Sequence, residues 1–209
     1  MPPRIKFCGL QTPEDVAVAC AAGAWAVGFV LTEGPRRVSV SACRELAQTV
    51  PEGVTKVGVF THEPPKEIRE AVDACGLDLV QVHVEALEDP QAYAGLPLVR
   101  AFRVRGPETL RKLAAVRGEL FLLDAYVRGR PGGTGASFDW TLARRAAAYG
   151  RVILAGGLTP ENVAEAVRTA RPWAVDVSSG VERTRGVKDH DRMRAFAQAV
   201  RGARISERG

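Results

Sequence analysis

Aromatic side chains make up only 6% of this 209-residue chain, and cysteine occurs four times, histidine three times and methionine twice. So few aromatics, scattered among the basic residues, argue against a nucleic-acid surface built on stacking platforms. No apolar run approaches the ~20 residues of a membrane span. The start, Met1-Pro2-Pro3-Arg4, leads straight into a strand without an apolar leader segment, so a cytoplasmic protein with no membrane partner is expected. The cysteines (Cys8, Cys20, Cys43, Cys75) show no CxxC spacing. Three of them, Cys20, Cys43 and Cys75, lie in helical patterns and read as reduced core residues rather than a disulfide frame or metal site. The histidines have no partners at ligand spacing beyond the acidic neighbours of His190, which argues against zinc. Lysine is scarce too, at 6, 56, 66, 112 and 188 only, yet arginine lifts the net charge to +5. That surplus suits a small anionic substrate.

What the chain has is regular alternation. Short β-branched runs at 4–8, 25–31, 55–60, 78–83, 97–103, 119–124, 151–155 and 173–178 take turns with amphipathic runs at 13–22, 40–49, 65–75, 89–94, 107–116, 139–149, 160–169 and 190–201. Repeated β-then-α units imply a parallel sheet with helical crossovers, and eight of them predict a single α/β domain over residues 1–209, a (β/α)8 TIM barrel. The rival is an open doubly wound sheet, whose central strands would read as nearly continuous apolar runs. Several strands here alternate instead. Lys6 and Cys8 oppose Ile5 and Phe7; Gln81 and His83 oppose Val80 and Val82; Asp124 opposes Leu123; Asp176 and Ser178 oppose Val175 and Val177. The polar sets face a barrel interior, and the C-terminal strand ends bring Cys8, His83, Asp124 and Ser178 around one mouth, where barrel enzymes keep their chemistry.

Two glycine loops stand where barrels commonly bind phosphate. Gly156-Gly157 follows the seventh strand and Ser179-Gly180 the eighth, although glycines also simply make tight turns. A third loop, Arg128 to Gly135, is long; it is either a surface excursion or a cover whose contacts are Gly133, Thr134 and Gly135. Asp124 ends a very apolar strand. It is either a desolvated acid or a carboxylate solvated or paired with Lys6 or an arginine. Asp176 lies deeper and is the expected partner of Lys6. His83 and Gln81 either orient a ligand or satisfy each other. Of the loop arginines, Arg36 reads as a solvated surface charge. His190 carries no chemistry, with Asp189 or its neighbour capping the last helix. Cys8, taken alone, is either a small core hydrophobe or a reactive thiol.

The joint order of Lys6-Phe7-Cys8-Gly9, Val27-Gly28-Phe29-Val30, Val57-Gly58-Val59-Phe60, Val80-Gln81-Val82-His83, Leu122-Leu123-Asp124, Gly132-Gly133-Thr134-Gly135 with Phe138-Asp139-Trp140, Leu154-Ala155-Gly156-Gly157-Leu158 and Val175-Asp176-Val177-Ser178-Ser179-Gly180-Val181-Glu182 resembles the phosphoribosylanthranilate isomerases of tryptophan biosynthesis. The resemblance implies an Amadori rearrangement of a phosphorylated aminosugar, N-(5-phosphoribosyl)anthranilate, without metal or cofactor. It implies Cys8 as general base and Asp124 as general acid. It places the anthranilate on Arg37 and the phosphate on Gly156, Gly157, Ser179 and Gly180, with Asp176, His83 and Gly133 to Gly135 lining the ligand. Alternatives are another phosphosugar isomerase or epimerase barrel, and a non-enzymatic basic binding protein. A homodimer is compatible with the sequence, but no exposed apolar stripe marks an interface.

Overall fold

The computed structural model describes residues 1–83, 90–104, 106–114, 120–124 and 140–203. Its main sheet contains β1 (Arg4–Cys8), β2 (Ala26–Val30), β3 (Thr55–Phe60), β4 (Leu79–His83), β5 (Leu98–Arg103), β6 (Leu120–Asp124), β7 (Arg151–Ala155) and β8 (Ala174–Val177). The strands are parallel and stand in chain order, and β8 pairs back onto β1 with Lys6 beside Asp176. That closure excludes the open doubly wound sheet. On the outside lie α1 (Pro13–Ala21), α2 (Val40–Gln48), α3 (Pro65–Cys75), α4 (Glu108–Ala114), α5 (Trp140–Ala146), α6 (Val163–Ala170) and α7 (His190–Gly202).

Local chemistry sets the helix ends. Thr12 accepts from the Asp15 N–H at 3.1 Å, and Pro13, which has no N–H to satisfy, opens α1. Ser39 caps α2 in the same way, and Asp189 caps α7 by accepting from the N–H groups of Asp191 and Arg192. Gly76 ends α3 in the left-handed conformation that glycine adopts without strain. Two expectations shift. The helix expected at 89–94 is a single 3-10 turn, Pro90–Tyr93, within the described residues, because Gly95 and Pro97 crowd its end. The helix expected from 160 begins at Val163, since Asn162 Oδ1 takes the Thr159 N–H at 2.8 Å and folds residues 159–162 into a turn.

The alternation of each strand divides the core. Outward residues meet the helices: the Phe7 ring packs edge-on against Phe196 of α7 at 6.1 Å, and Phe102 against Phe121 at 5.9 Å. Each such buried ring contributes roughly 1.5–3 kcal/mol of transfer energy. Inward residues fill the lumen in two zones. Val99, Ala101, Leu122, Ile153, Ala155 and Ala174 make an apolar plug. Trp25 and Trp173, 4.7 Å apart edge to face, close its N-terminal end with Arg4 stacked over Trp173. Towards the C-terminal ends the lumen turns polar, with Lys6, Gln81 and Asp176 all buried there. One element has no counterpart in the sequence pattern: a hairpin of β9 (Glu182–Thr184) and β10 (Val187–Lys188) behind β8.

Candidate active site

A cavity of about 730 Å³ opens at the C-terminal strand ends. That is the size range of small-molecule sites. Gln81, His83, Asp124, Asp176, Gly156, Gly157, Ser179 and Gly180 all line it. They reach it from β4, β6 and β8 and from the turns after β7 and β8, so one register rule collects residues nearly a hundred positions apart. The candidate contacts Gly133, Thr134 and Gly135 lie outside the described residues.

The glycine turns are held in place. Gly156 and Gly157 have φ of 87° and 65°, a region that costs glycine little. Asn162 fastens their turn by donating to the Gly157 carbonyl at 2.9 Å. The turn after β8 packs onto it so closely that a Cβ at Gly180 would lie 1.8 Å from the Leu158 carbonyl oxygen. Backbone is thereby pressed against backbone at the rim of the cavity, the arrangement that lets main-chain groups approach an anion.

Beneath the rim, Lys6 Nζ donates to Asp176 Oδ1 at 2.8 Å, so the expected pair forms. Cys8 is buried beside Lys6 and is not among the residues that line the cavity. Gly28 on β2 leaves room for both: a Cβ there would stand 3.0 Å from Cys8 Sγ and 3.2 Å from Lys6 Nζ. Burial pushes the Cys8 thiol up from its ordinary value, and Asp176 pushes the same way, while Lys6 and Lys188 pull it down. Burial also works against the Lys6 ammonium, but Asp176 and Cys8 outweigh it and hold Lys6 above its ordinary value. Burial thus favours the thiol form of Cys8, and the Lys6 ammonium beside it favours the thiolate.

The two loop arginines exchange the places expected of them. Arg37 is half exposed and pairs with Glu33, away from the cavity. Arg36 lines the cavity, with Nε 2.6 Å from Glu182 Oε1 and NH2 2.8 Å from Oε2. It is no solvated surface charge. Its side chain crosses Gly9, where a Cβ would come within 2.6 Å of Arg36 Cδ. Glu182, Lys188, Arg183 and Arg185 were not picked out from the sequence. The only signal for them was their place just after Ser179-Gly180. Outside the cavity, His190 bonds Asp15 at 2.8 Å.

Eight parallel strands closed into a barrel, with a cavity at their C-terminal ends lined by His83, Asp124, Asp176 and the paired glycine turns, define a (β/α)8 barrel with its polar groups gathered where such barrels keep their chemistry. The family model for N-(5'-phosphoribosyl)anthranilate (PRA) isomerase matches residues 5–199. The chain belongs to that family. It is 46% identical over 197 residues to the N-(5'-phosphoribosyl)anthranilate isomerase of Geobacter sp. strain M21, covering 92% of this chain and 95% of the relative. It superposes on the phosphoribosyl anthranilate isomerase of Thermotoga maritima with a TM-score of 0.86 at 34% identity, covering 96% of this chain and 99% of that one. A further isomerase structure, in complex with reduced 1-(o-carboxyphenylamino)-1-deoxyribulose 5-phosphate, gives a TM-score of 0.82 at 33% identity, again with 96% and 99% covered.

Proposed function

We propose that the cavity carries out the family's isomerisation with Cys8 as base and Asp124 as acid, and that Arg36 rather than Arg37 receives the substrate's carboxylate. The observation that carries this reading is the arrangement around one mouth. Arg36, Asp124 and the turns at Gly156-Gly157 and Ser179-Gly180 line one cavity, and Cys8 is buried at the end of β1 beside Lys6. N-(5-phosphoribosyl)anthranilate has a carboxylate at one end, a phosphate at the other and the reacting sugar between. Anchoring both ends removes most of the freedom the sugar would otherwise lose in reaching the transition state.

The chemistry then needs only proton transfers. Asp124 gives a proton to the ring oxygen, the C1'–O bond breaks, and the nitrogen lone pair forms the iminium. The thiolate of Cys8 takes the C2' proton, and those electrons make the enolamine, whose C2' hydroxyl loses its proton as C1' gains one. The product is the 1-deoxyribulose phosphate. The iminium charge and Lys6 both favour the thiolate at the step where it is required. Asp176 and His83 line the same cavity.

The test follows anthranilate fluorescence as freshly made substrate is consumed. Turnover without added metal, undiminished by chelator, is expected; folded protein that leaves the substrate untouched would overturn the reading. Cys8→Ala and Asp124→Asn each lower kcat by ~10²–10⁴-fold, the range of a lost general acid or base. The active pair holds one proton, on Asp124 with Cys8 as thiolate; because burial keeps the thiol above its ordinary value, kcat/KM does not fall until the pH has passed about 8.5, where the pair loses that proton. For assembly, the exposed large apolar side chains among the described residues are Met1, Val40 and Val187. Light scattering tests whether the chain forms the homodimer that its sequence allows.

A further inference from the structure

Arg36 and the turn after β8 are joined through Glu182. Its side chain is 4% exposed, and its carboxylate accepts two bonds from Arg36, one from Lys188 Nζ at 2.9 Å and one from the Gly186 N–H at 3.1 Å. Lys188 has no exposed side-chain surface. Its ammonium also donates to the Ser178 carbonyl at 3.1 Å, with Ser178 Oγ at 3.4 Å. One buried carboxylate therefore ties the arginine of the β2 loop to the backbone of the turn at Ser178–Gly180.

The surrounding backbone is shaped to this contact. A Cβ at Gly186 would lie 2.7 Å from the Pro35 carbonyl oxygen, so the β9–β10 hairpin sits directly on the loop that presents Arg36. On its other side Arg36 is threaded over Gly9. Four hydrogen bonds leave the Glu182 carboxyl at about 2 despite the opposing effect of burial, so it is anionic at any working pH. The charge is not balanced: two cations share one carboxylate, and Arg36, the cation that lines the cavity, is available for a second.

We propose that Glu182 and Lys188 are positioning residues: Glu182 aims the Arg36 guanidinium at the substrate's carboxylate, and Lys188, held by the same carboxylate, fixes the Ser178 backbone so that the Ser179-Gly180 turn receives the phosphate. The identity of the substrate rests on the reading above; the clamp itself does not.

The experiment compares the wild type with Glu182→Gln, Lys188→Met and the double variant. Glu182→Gln keeps shape and loses charge. It raises KM for N-(5-phosphoribosyl)anthranilate roughly ten- to a hundredfold, the range for a charged hydrogen bond, and changes kcat by a smaller factor. A purely structural role predicts the reverse, a lower melting temperature and fewer active molecules with KM unchanged, and that result overturns the proposal. If either single variant fails to fold, the double variant, which removes the fully buried ammonium together with its carboxylate and leaves only the part-exposed Arg36 without its anion, carries the same KM comparison. Inorganic phosphate separates the clamp from the substrate assignment. Phosphate raises the melting temperature of the wild type, and Lys188→Met reduces that rise; an equal rise in both overturns the role of Lys188, whether or not the wild type turns over the aminosugar.

Discussion

At the scale of single residues, the sequence separates partners along one chain better than it separates neighbours. Lys6 and Asp176 lie 170 positions apart, yet their pairing follows from the inward face of two strands made adjacent by closure. Arg36 and Arg37 are adjacent, and no periodicity in a loop tells which one turns inward. The information is held elsewhere, in Gly9, whose missing Cβ makes the passage, and in Glu182, which supplies the anion. Composition and spacing do not register either. The two arginines consequently differ in what their loss does. Arg36→Ala raises KM for N-(5-phosphoribosyl)anthranilate by roughly ten- to a hundredfold, as expected for losing a charge-assisted contact. Arg37→Ala, which removes only an exposed pair with Glu33, leaves KM within about twofold and stability within about 1 kcal/mol. Steady-state kinetics on both variants decide it; the opposite ranking would return the anthranilate to Arg37.

At the scale of elements, strands and the capped helices were legible because their signals are local and periodic. Thr12-Pro13 and Ser39 announce α1 and α2, and β-branched alternation announces β4 and β8. The β9–β10 hairpin was not legible: Glu182-Arg183-Thr184-Arg185-Gly186-Val187-Lys188 is almost wholly polar, and its strands are held by the buried Lys188 and Glu182 rather than by an apolar face. Tertiary ion pairing has no sequence period. The glycine turns were placed correctly, but the reason for Gly180 appears only in three dimensions, where the turn after β8 rests on Leu158 of the turn after β7. Gly180→Ala puts a methyl 1.8 Å from that carbonyl oxygen, so one turn must give way. We expect a loss of about 1–3 kcal/mol in urea unfolding, typical of overpacking, together with a raised KM. Wild-type stability and KM in this variant would show that the two turns are not a rigid unit.

Across the whole molecule, closure of the barrel depends on the seam between the first and last strands, and a charged pair stands inside that seam. Lys6 and Asp176 sit side by side in the β1–β8 register, with side chains 1% and 9% exposed. Taking two ions out of water is costly, and an apolar pair of similar volume is often as stable as such a bridge or more so. We propose that the seam carries the pair for the chemistry above it, where Lys6 stands beside Cys8 and Asp176 lines the cavity, and not for strength. This view makes a stability prediction with a definite asymmetry. Lys6→Met alone leaves Asp176 buried without its cation and costs about 3–5 kcal/mol; Lys6→Met with Asp176→Leu removes both charges and recovers most of that loss. Urea unfolding of the two variants measures the difference, and its sign separates the alternatives. If the double variant is less stable than Lys6→Met, the pair holds the barrel closed. If it is more stable, the barrel closes on its apolar faces and bears the ion pair as a cost of placing a thiol beside an ammonium at the mouth.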